Sequence, residues 1–176
     1  GLNGIGAKAT CLRSKWFKVV SHRGQMKATA EFEKGELIHY SEEKTNRQSG
    51  TVISFIPDEE VFSLEPINIS FDRIAIQCKN LSYLTKGLKF NLEYNNKKKS
   101  FLAKNGLRDL VQDYGKSPIH PTVIYGEAKE GRNHVEVAMM WTNNRTESSY
   151  TFTNGLLNSE GGTSLTGVRT ALTRIL

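Results

Sequence analysis

Cysteine is nearly absent: Cys11 and Cys78 are the only two in 176 residues, far apart and in helix-like segments. With no Cys-x-x-Cys pair and no histidine cluster beside them, the sequence offers neither a disulfide framework nor a zinc-type ligand set, and the thiols suit a reducing cytoplasm. Long apolar runs are missing too. Nothing approaches the roughly 18 consecutive apolar residues of a membrane-crossing helix, and no charged-then-apolar secretory leader opens the chain. Repeats and low-complexity segments are lacking. Charge of one sign is not segregated: the net charge of +6 and pI near 9.3 are compatible with a polyanionic partner, yet the 24 basic residues are interspersed with 18 acidic ones. The longest basic run, Lys97-Lys98-Lys99, follows Asn95-Asn96 where a hairpin turn is expected, and reads as a solvated turn. No serine or cysteine nucleophile set accompanies His120, so it reads as a structural histidine. Asp58-Glu59-Glu60 after Pro57 reads as a helix start or turn favoured by the helix dipole rather than as a metal site.

What is there begins with glycine. The chain opens Gly1-Leu2-Asn3-Gly4-Ile5-Gly6, ahead of a helix-like run in which Ala7, Cys11 and Leu12 share a face. Glycines at such a place let backbone N–H groups converge on a phosphate. The spacing is neither the dinucleotide fingerprint nor a P-loop, since Ala7 separates the last glycine from Lys8, and a plain turn explains it equally on these residues alone. Content that is 38% hydrophobic, with eight Phe, six Tyr and two Trp, is enough for the core of one domain or two small ones. The run Trp16–Val20, a turn at 22–25 and the alternating segment Met26–Phe32 predict a hairpin. A strand at Leu37–Tyr40, a loop from Ser41 to Gly50 and a strand at Thr51–Ile56 extend it to an antiparallel meander. Phe71, Ile74, Cys78, Leu81 and Leu84 recur at helical spacing up to Gly87, predicting a helix over about 71–86. Leu88–Tyr94 and Ser100–Ala103 predict a second hairpin, and a short helix follows from Asn105-Gly106 to Gly115. A domain boundary near 104 is expected. Strand-like runs at 122–128, 134–141 and 149–152 lead to a last helix capped by Thr163 or Ser164, with Leu165, Val168, Leu172 and Ile175 on one face. That helix meets the chain end without a stop signal and the chain opens inside a motif without Met, so a segment of a longer protein is expected.

Three stretches taken together, Gly1–Gly6, Gly50-Thr51-Val52-Ile53-Ser54-Phe55-Ile56-Pro57-Asp58, and Thr153-Asn154 through Gly161-Gly162-Thr163 to Ala171-Leu172-Thr173-Arg174, resemble in order and spacing the ATPase subunit of bacterial type IIA topoisomerases, the gyrase B and topoisomerase IV B subunits. Leu81–Gly87 and Ser117–Pro121 are similar to two further segments of that family. The resemblance covers essentially the whole chain. It implies an α+β fold: residues 1–104 as the rear half of a GHKL-type ATPase sandwich, and residues 105–176 as the front of a ribosomal-S5-like transducer subdomain.

For chemistry, the resemblance implies that Gly1, Leu2, Asn3, Gly4, Ile5 and Gly6 face the triphosphate of ATP, chiefly through backbone N–H groups, with Asn3 where the family usually has His. It places Thr51 and Ile53 at the adenine pocket, where ordinary strand packing is the alternative, and Arg23 at its outer rim, where a solvated turn arginine is the alternative. Gly161-Gly162-Thr163 would fix the entry of the last helix, with Ser164 in place of the usual His. The family's general-base Glu, magnesium-holding Asn and adenine-reading Asp lie upstream of the glycine loop, and its Gln-Thr-Lys loop lies downstream. The expectation is therefore a split site with ATP and Mg2+ belonging to the complete subunit, no catalytic residue or metal ligand in this stretch, and no hydrolysis by it alone. The implied partners are DNA, a second copy of the same protein and the A-type cleavage subunit, without a membrane. A non-catalytic binding fragment and a GHKL ATPase of mismatch-repair or heat-shock type are the other readings.

Overall fold

The computed structural model describes residues 4–62 and 69–175. Compactness divides the chain into two units, Gly1–Ile69 and Ser70–Leu176.

The first unit is a helix leading into a four-stranded antiparallel sheet. Helix α1 (Ile5–Leu12) runs into β1 (Ser14–Arg23), followed by β2 (Met26–Glu33), β3 (Glu36–Lys44), β4 (Gly50–Pro57) and the short α2 (Glu59–Phe62). The Ser14 hydroxyl closes the end of α1 by donating to the Thr10 carbonyl at 2.6 Å. The strand order is β3-β2-β1-β4. The first three strands form the expected meander, but β4 crosses to the far side of β1 instead of pairing with β3. Burial explains this. Phe17 faces Phe32 on one side and Phe55 on the other, with ring centroids 6.2 and 6.4 Å away, and is only 3% exposed. Pairing β4 with β3, whose second half is Ser41-Glu42-Glu43-Lys44, would give Phe55 no such neighbour. Strand β3 also runs through Lys44, where a loop was expected from Ser41, because Glu43 lies opposite Lys27 and forms an ion pair with it.

The second unit starts with α3 (Phe71–Leu84), whose N-cap Ser70 accepts from the Arg73 N–H. The hairpin β5 (Phe90–Tyr94) and β6 (Lys97–Phe101) turns through Asn95 and Asn96, both at positive φ, the primed turn that suits strand twist and tolerates asparagine. Helix α4 (Leu107–Tyr114) follows, then β7 (Ile124–Glu130), β8 (Asn133–Met139), the two-residue strands β9 (Phe152–Thr153) and β10 (Leu156–Leu157), and α5 (Gly162–Ile175). Tyr83 from α3, Ala103 after β6 and Leu110 from α4 are buried together, with Leu107, Val111 and Phe152 against them. This shared core is why compactness joins 70–104 to the residues after it and divides the chain at 69/70 rather than near 104. The run at 149–152 is strand only at its end. Thr163 and Ser164 lie inside the first turn of α5 rather than capping it: Gly161 and Gly162 make the turn at positive φ, and the Gly161 carbonyl accepts from the Leu165 N–H at 3.3 Å.

Candidate functional site

The opening glycine motif is only partly in view, since Gly1, Leu2 and Asn3 lie outside the described residues. Gly4 sits just before α1 at φ 60°, ψ 16°, a left-handed conformation that costs any residue with a Cβ about 1–2 kcal/mol. A Cβ there would meet nothing within 4 Å, and neither would one at Gly6. Conformation, not crowding by the described residues, thus demands glycine at position 4. Among the described residues no side chain caps α1, and its first turn holds no acidic residue. The N–H groups of that turn lie at the positive end of a helix dipole, with no carboxylate on the turn to compete for them. Ile5 is 61% exposed. This is an arrangement suited to an anion.

Strand register assembles the second set. Thr51 lies opposite Ser21 and Ile53 opposite Val19, and Arg23 follows Ser21 by two on β1, so Arg23, Thr51 and Ile53 share one face of the sheet, diagonal or adjacent to one another. Phe17 and Phe55 continue the same face. Ile53 is 49% exposed and Phe55 50%, so apolar surface beside Thr51 stays accessible within this unit. Gly4, Ile5 and Gly6 belong to the start of α1, which leads into β1 at Ser14, and Arg23 ends that strand. On the other face His22 is buried, and its Nδ1 has no hydrogen-bond partner among the described residues.

Two clusters escaped the sequence reading. Between α3 and α4, the Tyr83 hydroxyl donates to Asp113, and the Lys79 ammonium lies 3.0 Å from the same carboxylate and against the Tyr83 and Tyr114 rings. Burial and the Asp113 hydrogen bond push the Tyr83 hydroxyl up to about 12, while the Tyr83 hydroxyl and Lys79 hold the Asp113 carboxyl below its ordinary value. On the β7–β8 hairpin, ligand atoms of Glu127, His134 and Glu136 all fall within 4.8 Å of one another. Neither cluster has a short-range motif. Each exists only through helix packing or strand register.

Comparison with known proteins agrees with the sequence. The DNA gyrase B family model matches residues 106–176. The DNA gyrase B protein of Bacillus mycoides is 32% identical over 185 residues, covering 100% of this chain and 45% of that protein. The DNA gyrase B protein of Archaeoglobus fulgidus is 30% identical, covering 99% of this chain and 28% of the relative. Among solved structures, the 43K ATPase domain of Thermus thermophilus gyrase B, in complex with an aminocoumarin, superposes with a TM-score of 0.87 at 24% identity over 98% of this chain and 49% of that one. The DNA gyrase B protein of Myxococcus xanthus gives 0.79 at 17% identity over 91% and 48%. The α+β fold and the family resemblance are borne out along the chain, which spans less than half the length of each of these relatives.

Proposed function

We propose that this chain, homologous along its whole length to DNA gyrase B, is the part of an ATP-driven type II DNA topoisomerase that carries one edge of the nucleotide pocket. The observation that carries the reading is the start of α1, carboxylate-free and without a side-chain cap among the described residues, behind a left-handed Gly4, in a chain whose full-length match is to gyrase B. In this reading Gly1, Leu2, Asn3, Gly4, Ile5 and Gly6 hold the phosphates of ATP, mainly through backbone N–H groups. Thr51 and Ile53 take the adenine side and Arg23 its rim, the face where β4 leaves apolar surface open. ATP supplies a phosphoryl group whose hydrolysis drives the conformational cycle, with Mg2+ neutralising its charge. No residue of this chain is assigned to the metal or to activation of water, so the chain alone binds at an edge and does not turn over.

The two functional subdomains divide near residue 104, into 1–104 of the ATPase part and 105–176 of the transducer. The family-model match over 106–176 supports that division, although compactness divides the chain earlier. DNA, a second copy of the same protein and the A-type cleavage subunit are the partners, and the cytoplasm is the compartment. No described helix is long and apolar enough to cross a membrane.

The test places Gly4→Val in the full-length protein and measures ATP binding and DNA-dependent ATP hydrolysis beside the wild type. The expected result is at least a tenfold loss of nucleotide affinity, because valine is strained at the Gly4 conformation and turns the N–H groups away. Equal affinity in the two proteins overturns the phosphate role. A wild-type protein with no DNA-stimulated hydrolysis in the presence of its cleavage partner overturns the topoisomerase reading itself.

A further inference from the structure

We propose that Glu127, His134 and Glu136 form a binding site for a divalent transition-metal ion on one face of the β7–β8 hairpin. The site shares no residue with the candidate nucleotide edge and does not depend on that reading. Strand register creates it: Glu127 lies directly opposite Glu136, and His134, two residues before Glu136, projects from the same face. Its Nε2 is 2.9 Å from a Glu127 carboxylate oxygen and 3.8 Å from one of Glu136. All three donor atoms lie within 4.8 Å of one another. Ligands at about 2.0–2.2 Å around a tetrahedral ion are about 3.4 Å apart, a spacing these exposed side chains reach by small torsional changes. Two carboxylates and one imidazole are a donor set for Zn2+ and its first-row neighbours rather than for Ca2+ or Mg2+.

The surroundings fit a ligand set. Two glutamates directly opposed across an antiparallel pair repel each other, a local cost that a divalent cation removes. Tyr125, two residues before Glu127, donates its hydroxyl to the other Glu127 oxygen at 2.9 Å, and the Arg108 guanidinium covers the Tyr125 ring at 4.3 Å from its centroid. Glu127 is thus oriented from behind, with one oxygen held and the other turned to His134, the arrangement of an outer-shell donor on a metal-ligating carboxylate. Solvent reaches all three side chains, which are 35–52% exposed, so water completes the coordination.

The experiment titrates the full chain with Co2+, read by its d–d absorption in a non-coordinating buffer, and then displaces it with Zn2+. One saturable ion per chain is expected, without the intense charge-transfer band that the thiolate of Cys11 or Cys78 would give. His134→Gln and Glu127→Gln are each expected to weaken Zn2+ binding at least tenfold, and His39→Gln, on β3, to leave it unchanged. Circular dichroism checks that each variant is folded. Absence of saturable binding by the wild type, or undiminished binding by folded His134→Gln and Glu127→Gln, overturns the proposal and leaves the three residues an ion-pair cluster only.

Discussion

Tyr83→Phe tests how the second unit is held together. Tyr83 is 4% exposed in the core with Ala103 and Leu110, and its hydroxyl donates to Asp113. Phenylalanine keeps the ring, its packing and its contact with the Lys79 ammonium, so the change isolates the hydroxyl. A hydrogen bond to a charged partner contributes about 1.5–3 kcal/mol. Asp113 is about half exposed, at 48%, so water replaces the lost donor and the low end, about 1.5 kcal/mol, is expected near neutral pH. The pH dependence gives an independent check. The Tyr83 hydroxyl ionises near 12 in the folded chain and near the ordinary tyrosine value of about 10 when unfolded. Its folded value is raised, so its contribution is fully present below about pH 10 and is lost as pH rises through about 12. At about pH 11 the wild type should lose about 1.4 kcal/mol relative to Tyr83→Phe, nearly closing the gap between them. The assay is urea unfolding at about pH 7 and about pH 11, read by Trp141 fluorescence in a Trp16→Phe background. A gap below about 0.5 kcal/mol near neutrality, or a gap that does not narrow in alkali, would refute the role given to the hydroxyl.

In the first unit, Phe17→Ala removes the ring that Phe32 and Phe55 enclose, and should cost about 3 kcal/mol by urea unfolding read at Trp16; a loss under about 1 kcal/mol would show that the sheet does not depend on this aromatic row. Gly115→Ala should destabilise the second unit by about 1–3 kcal/mol, since its Cβ would sit 2.7 Å from the Val111 carbonyl oxygen as well as against the Met140 methyl. That oxygen already accepts the Gly115 N–H at 2.8 Å and cannot withdraw. Unchanged thermal stability would mean that α4 ends differently from the geometry described.

Local pattern made much of this fold legible. The period-two segment at Met26–Phe32 and the helical spacing from Phe71 to Leu84 became the elements they imply, because each is decided by neighbours within a few residues. The turn after Tyr94 is tighter than expected, Asn95-Asn96 alone, with Lys97–Lys99 paired in β6 instead of in a solvated turn. Pairing between distant segments was not legible. Nothing in Thr51–Ile56 says that it joins β1 rather than β3. That choice is made by Phe17, which gains a ring on each side. Ser41–Lys44 looked like a loop because it is charged and polar, yet the charges of Lys27 and Glu43 are what pair across the ladder. At the head of α5 the threonine and serine looked like caps, and the two glycines before them made the turn instead, since glycine adopts successive left-handed conformations at no steric cost.

The candidate sites divide along the same line. Recognition of a phosphate by backbone N–H groups, the role proposed for Gly4 and Gly6, needs little from side chains and much from conformation, so its trace in a sequence is glycine. Thr51 and Ile53 were visible as a strand pair two residues apart, but their company with Arg23 depends on β4 lying against β1 with Thr51 opposite Ser21. The Glu127, His134 and Glu136 cluster goes one step further. None of its members stands in a metal-binding spacing, and a slip of one residue in the β7–β8 register would send the two glutamates to opposite faces. Sites carried by the backbone are therefore read from residue type, and sites carried by side chains on paired strands appear only once the register is known.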